Sequence, residues 1–325
     1  MTAQGVGCTL VTGGAGFIGS HVVDTLLVRG EQVLCIDNFD SFYDPAIKRA
    51  NISSALSNPN FHLVEADIRD QAAMESLCQS HQVDRIFHAA ARAGVRPSVK
   101  DPFLYEDVNV RGTMVLLEVA RRRPLKTFVF ASSSSVYGGI RTIPFSETLP
   151  LNRPISPYGA TKLAGEQVCF TYHYLYGIPI TCLRFFTVYG PRQRPEMAIH
   201  YFVRLIEEGK PVPVYGDGRA RRDFTFIDDI VQGVIAALGR PFQYEVFNLG
   251  ESSTVELIDM IRLMEICLGK KAQLEYLPAQ PGDMLITYAD ITKAERMLGY
   301  RASTPVKEGL ERFVRWFRTM QRGKG

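Results

Sequence analysis

Tyr158 and Lys162, four residues apart in Ser156-Pro157-Tyr158-Gly159-Ala160-Thr161-Lys162, form the pair in this sequence best suited to acid–base chemistry. Pro157 fits the first turn of a helix, where its missing N–H has no intrahelical partner to lose. No proline interrupts the chain from Tyr158 to Tyr176, so the spacing predicts a helix there with Tyr158 and Lys162 on one face. A phenol, with a reference pKa of about 10, is a poor base at neutral pH. An ammonium within a few ångströms favours the phenolate and makes it usable. Fourteen tyrosines in 325 residues make such a pair weak evidence when it stands alone. Upstream, the run Ser132-Ser133-Ser134-Ser135-Val136-Tyr137-Gly138 closes a candidate strand. A serine there could bond a substrate hydroxyl while Tyr158 takes its proton, or the run could simply be a serine-rich turn.

These groups need a frame. Cys8–Thr12 is a short apolar strand candidate, followed by Gly13-Gly14-Ala15-Gly16-Phe17-Ile18-Gly19 and a helix with apolar residues at Ile18, Val22, Val23, Leu26 and Leu27. A second strand, Val33–Ile36, ends at Asp37. In this order, Gly13, Gly16 and Gly19 let the backbone approach a pyrophosphate at a helix N-terminus, where free N–H groups and the dipole favour an anion. Asp37 stands where a carboxylate accepts bonds from an adenosine ribose and repels a 2′-phosphate. With no arginine directly after it, the pattern predicts NAD rather than NADP. Further strand candidates are Phe61–Val64 leading to Asp67, Arg85–His88 leading to Ala89-Ala90-Ala91, Thr127–Ala131 and Pro179–Arg184, with a helix over Tyr105–Arg122. The small residues Ala89, Ala90 and Ala91 suit close packing of backbone against a cofactor. Alternating strands and helices imply an α/β fold, a Rossmann-type doubly wound parallel sheet with a smaller C-terminal substrate-binding domain. Residues 1–186 are expected to form the NAD-binding domain, with 224–252 returning to it and 187–325 forming mainly the substrate domain.

Composition sets outer limits. A net charge of +3, 46% apolar and 22% charged residues describe an ordinary globular protein and give no reason to expect nucleic acid or a membrane surface as partner. The triplet Arg121-Arg122-Arg123 suits a solvated helix end. Six cysteines without C-x-x-C spacing read as reduced thiols in a cytoplasmic protein. The glycine-rich turn comes too early for a secretory signal peptide, and no apolar run approaches membrane-spanning length. The six histidines lack metal-ligand spacing, so no metal is expected. There is no G-x-S-x-G elbow of a serine hydrolase.

Taken together, Gly13-x-x-Gly16-x-x-Gly19, Asp37, Asp67, the Ser132–Gly138 run, Tyr158-x-x-x-Lys162 and Arg222-Asp223-Phe224 resemble the extended short-chain dehydrogenase/reductase family over nearly the whole chain. Its nucleotide-sugar members bind NAD in the first domain and a UDP- or TDP-sugar in the second. Asn38–Pro45, Ala91–Ser98 and Leu183–Pro191 are most similar to the UDP-glucuronate 4-epimerase branch. The resemblance implies Ser133, Tyr158 and Lys162 as the catalytic set, supported by Asn109. It implies Gly13, Phe17, Ile18, Gly19, Asp37, Asn38, Asp67, Ile68, Ala89 and Lys162 as NAD contacts. Thr187, Tyr215, Arg222 and Asp283 would line the UDP-sugar site, with Ser134, Ser135 and Arg194 near the sugar. Gln280 stands where many UDP-galactose epimerases have arginine, which leaves more of the diphosphate to Arg222, Arg96 or Arg194. The implied reaction is redox-neutral: C4 of the sugar is oxidised to a ketone and reduced again on its other face, in a homodimer. A 4,6-dehydratase would need carboxylic acids where this chain has Ser134 and Ser135. UDP-glucuronate decarboxylation, 4-epimerisation of a UDP-N-acetylhexosamine and a non-catalytic NAD-binding scaffold remain as alternative readings.

Overall fold

The run Cys8–Thr12 is buried along its whole length, which requires neighbours on both edges and helices on both faces. The computed structural model, which describes residues 7–279 and 284–322, supplies both. Strands β1 (Cys8–Thr12), β2 (Gln32–Asp37), β3 (Phe61–Glu65), β4 (Val83–His88), β5 (Thr127–Ser133) and β6 (Ile180–Phe185) are joined by Tyr244–Leu249 in one parallel sheet. The order from one edge is Tyr244–Leu249, β6, β5, β4, β1, β2, β3. Connections leave β1 toward β2 on one side and return to β4 on the other, so the sheet is doubly wound with its switch between β1 and β4.

Alternate residues of each strand feed opposite cores. Val11, Cys35, Phe87 and Val129 pack with helix α1 (Phe17–Val28) and the helix Ile227–Gly239. Leu10, Leu34, Ile86 and Phe128 pack on the other face with Met74, Cys78, Leu116 and Cys169 from three further helices. Thr12 pairs with Ile36 on one side and with His88 on the other. That register brings Gly13, Asp37 and Ala89 to the same edge of the sheet.

The helix Pro157–Tyr176 begins as its sequence requires, with Pro157 at the first position and the Ser156 hydroxyl accepting from Gly159 N–H at 3.1 Å. Gly177, at φ 66°, closes it. The single helix expected over Tyr105–Arg122 is instead two, Pro102–Glu106 and Gly112–Ala120, separated by a π-helical turn over Asp107–Arg111. The wide turn carries Asn109, which is 2% exposed. Such turns inside helices are frequent at functional sites. The arginine triplet caps the end of the second helix in ion pairs to Glu75 and Glu118, with Arg123 donating to Cys78 O.

Beyond β6 the strands are short. Thr187–Tyr189 pairs with Phe224–Phe226, Pro211–Tyr215 with Gln273–Leu277, and Arg221–Arg222 with Val255–Glu256. Asp223 ties these pieces together. Its buried carboxylate accepts from the N–H groups of Glu251, Ser252 and Ala289, and its carbonyl accepts from Thr187 N–H at 3.0 Å. Burial raises its pKa to about 6, against the lowering effect of these hydrogen bonds. The cysteines are free thiols, as their spacing suggests. Among the described residues no helix is long and apolar enough to cross a membrane, and no cluster of metal-ligating side chains occurs.

Candidate active site

The carboxyl ends of β1, β2, β4, β5 and β6 open into one cleft with a cavity volume of about 420 Å³. At one end lie Gly13, Gly16, Phe17, Ile18, Gly19, Asp37, Asn38, Asp67, Ile68, Ala89, Ala90 and Ala91. At the other lie Ser133, Ser134, Ser135, Tyr158, Lys162, Thr187 and Arg194. Residues scattered over 180 positions thus share one surface because the parallel strands all end on the same side.

The first end fits a dinucleotide. Gly13 has a φ of 65°, and a Cβ there would press on the backbone of Ala90. A Cβ on Gly19 would collide with the Gly13 carbonyl. Side chains at either position would push turn and helix apart, so only glycine keeps α1 against the sheet. No side chain caps the first turn of α1, which leaves its N-terminus available to an anion. The Asp37 carboxylate accepts from Ala15 N–H at 3.2 Å and Phe39 N–H at 2.9 Å, and Lys48 Nζ lies 3.5 Å away. Asp67 is held by both Arg69 and Asn38, and hydrogen bonds from Arg69 draw its pKa down to about 2. It is a fixed anion at the rim.

At the second end, burial raises the pKa of the Tyr158 phenol, while a hydrogen bond with Ser133 and the positive charge of Arg194 act against that rise. Sequence reasoning assigned this lowering to Lys162. In the structure Lys162 Nζ donates to Ala131 O at 2.7 Å, and the positive charge of Arg194, itself paired with Glu196 at 3.1 Å, favours the phenolate. Burial lowers the Lys162 pKa to about 8. The hydrogen bond to Ala131 O fixes the Lys162 ammonium at the wall of the cleft rather than free in solvent.

The sequence of the NAD dependent epimerase/dehydratase family matches residues 9–250. The chain belongs to that family. A UDP-glucuronate 4-epimerase of Thermodesulfobacterium geofontis is 42% identical to it over 312 residues, 96% of each chain. UDP-glucuronate 4-epimerase 4 of Arabidopsis thaliana is 41% identical over 326 residues, 95% of this chain and 74% of that one. Among solved structures, the UDP-glucuronic acid 4-epimerase of Bacillus cereus, in complex with UDP-glucuronic acid and NAD, matches with a TM-score of 0.92 at 40% identity. That likeness spans 96% of this chain and 99% of the other.

Within the family frame, several expected residues stand apart from the cleft lining. The Asn109 amide donates to Arg92 O and to Thr161 Oγ1 and accepts from Arg92 N–H, so it braces the loop after β4 against the Tyr158 helix. Both its N–H donors are used within the protein. Arg96 follows the cleft residue Val95 and stacks on the Tyr215 ring at 4.2 Å. Arg222 donates to Arg221 O in the short antiparallel pair. Gln280 and Asp283 lie outside the described residues.

Two buried groups that hold residues near the cleft, His88 and Glu166, were missed by the sequence reading. His88 is fully buried, with Nδ1 2.8 Å from Thr12 Oγ1 and Nε2 3.0 Å from Thr113 Oγ1. The Thr113 hydroxyl donates to Asn109 O, so His88 carries its proton on Nε2 and accepts from Thr12. Burial lowers its pKa to about 3 and keeps it neutral. Glu166, one turn beyond Lys162, accepts from Ser132 Oγ at 2.5 Å and from Arg184 at 2.7 and 2.9 Å. Arg184 continues to Tyr137 Oη, which donates to Asn248. A lone arginine in the fully buried strand Ile180–Phe185, whose other residues are uncharged, is the sequence clue to this network, because a buried cation demands a partner.

Proposed function

We propose that this chain is an NAD-dependent UDP-sugar 4-epimerase whose sugar pair is UDP-glucuronate and UDP-galacturonate. The observation that carries the reading is a single cleft joining the glycine turn and Asp37 to Ser133, Tyr158, Lys162 and Arg194. A curated relative of like length carries the UDP-glucuronate 4-epimerase name, and the Bacillus cereus enzyme holds UDP-glucuronic acid with NAD. In this reading residues 1–186 and 224–252 hold the nucleotide and the rest of 187–325 holds the UDP-sugar. The protein works in the cytoplasm as a homodimer. Exposed Phe103, Phe170 and Tyr174, on the helices Pro102–Glu106 and Pro157–Tyr176, offer an apolar face to a second copy.

The α1 N-terminus with Gly13 and Gly16 would hold the pyrophosphate, Asp37 the adenosine ribose, and Lys162 the ribose nearer the reaction. NAD supplies a reversible electron acceptor beside C4 of the sugar. The chain supplies the proton chemistry. Ser133 and Tyr158 bind the C4 hydroxyl, and Tyr158 takes its proton and returns it once the keto sugar has turned its other face. Asp37 and the adjoining turn predict that NAD copurifies. Denaturing the purified protein should release NAD, and recovery of NADP would contradict the role given to Asp37.

Arg194, Thr187, Ser134 and Ser135 line the sugar end with N–H and O–H donors, and Glu196, outside the cleft lining, holds Arg194 Nε at 3.1 Å. Donors arranged in this way suit a C6 carboxylate, and charge-assisted bonds are the stronger kind. A CH₂OH in its place leaves the hydroxyls and the other Arg194 N–H groups without an anionic acceptor, which is the situation that gives steep discrimination. Arg194→Ala should therefore reduce kcat/KM for UDP-glucuronate by about 10–100-fold and for UDP-glucose far less. Parallel losses on both sugars would contradict the uronate assignment.

A further inference from the structure

The loop Gly190–Arg194 delivers Arg194 to the cleft, while Pro191, Arg192 and Gln193 do not line it. Its backbone is strained. Gly190 has φ 144° and Arg192 has φ 64°, a left-handed conformation that non-glycine residues rarely adopt. A Cβ at Gly190 would meet the Ile227 side chain, so the turn also has no room to relax there. Strain of this kind persists only where the surroundings hold it, and it concentrates at functional sites.

Three side chains from distant positions hold this loop, beside the nearby bonds from Gln193 Nε2–H to Val188 O at 3.1 Å and from Arg194 to Glu196 at 3.1 Å. His21 Nε2–H donates to Pro191 O at 2.9 Å. The Arg192 guanidinium pairs with Asp24 at 2.7 Å. His200 Nδ1–H donates to Gln193 O at 2.6 Å, its ring set edge-on against Phe313, Trp316 and Phe317. The first two come from α1, the helix whose first turn lines the nucleotide end of the cleft. The His21 ring also meets Phe17 of that turn in a T-shaped contact at 6.1 Å. The loop is thus fastened to the nucleotide helix on one side and to the aromatic cluster Phe313, Trp316 and Phe317 on the other.

We propose that His21, Asp24 and Arg192 are positioning residues for Arg194, which tie its loop to the nucleotide helix and so set the preference for a sugar carboxylate. The inference rests on the assignment of Arg194 to that carboxylate. A guanidinium displaced by an ångström forms a poor bidentate pair, yet the UDP portion common to both sugars would be untouched. Loss of the tie should therefore change selectivity rather than binding in general.

The test measures dissociation constants of UDP-glucuronate and UDP-glucose by calorimetry on Tyr158→Phe holoenzyme, where turnover does not interfere. Arg194→Ala should weaken UDP-glucuronate by about 10–100-fold with little change for UDP-glucose. His21→Leu, which fills the space without a donor, and Asp24→Asn should each produce the same selective loss at about 3–10-fold. His21→Gln, which restores an N–H near the Nε2 position, should recover most of the loss. Equal weakening of both sugars by Arg194→Ala would refute the carboxylate assignment itself. A selective Arg194→Ala effect with an unchanged affinity ratio in His21→Leu and Asp24→Asn would overturn the positioning role alone. Should His21→Leu fail to fold, Asp24→Asn decides by the same ratio.

Discussion

Tyr158→Phe is expected to lower turnover by about 10²–10⁴-fold while fold, bound NAD and UDP-sugar affinity persist. The substitution deletes one hydroxyl, and that hydroxyl is the group hydrogen-bonded to Ser133 within reach of the Arg194 charge. The ring itself is packed edge-on against Tyr105 at 6.3 Å, a contact phenylalanine keeps. Turnover followed by product quantification, with sugar affinity measured separately, distinguishes loss of the acid–base group from loss of binding. A rate above about a tenth of the original would mean that another group moves the proton.

The second large effect concerns stability. Glu166→Ala should cost about 3–5 kcal/mol, because it strands the buried Arg184 guanidinium and frees Ser132. The pair is well formed, with side chains 2% and 5% exposed and two Arg184 nitrogens on the carboxylate. Ser132 lies between Ala131, whose carbonyl holds Lys162, and Ser133, which bonds Tyr158. Turnover should consequently fall as well, even at temperatures where the variant remains folded. Denaturant unfolding of the holoprotein checks the stability cost, and a loss below about 1 kcal/mol would mean that Arg184 finds another partner or water.

The parts of this architecture written in short stretches were legible in the sequence. Cys8–Thr12, the glycine turn and Asp37 declare a strand, an anion-binding helix start and a ribose acceptor through local periodicity and backbone freedom. Ser156-Pro157 likewise announces the start of the helix that carries Tyr158 and Lys162. What was not legible depends on contacts between distant segments. Nothing near Lys162 indicates that its ammonium binds Ala131 O, 31 positions away. The π-helical turn at Asn109 depends on Arg92 and Thr161, which no helical periodicity can report. His88 looks like the end of an apolar strand until Thr12 and Thr113 close on its two nitrogens. Asp223 was visible as part of a motif, but its task of holding three separate chain segments by their N–H groups appears only once those segments meet.

The central claim is that a uronate is inverted at C4 and leaves with its carboxylate intact. Incubating the purified enzyme with UDP-glucuronate alone, without added NAD, and resolving the nucleotide sugars by chromatography with mass detection tests it directly. The account predicts a mixture of UDP-glucuronate and UDP-galacturonate of unchanged mass, with no net accumulation of reduced nucleotide. A UDP-pentose lighter by CO₂ as the main product, or no conversion by protein that retains NAD, would contradict it.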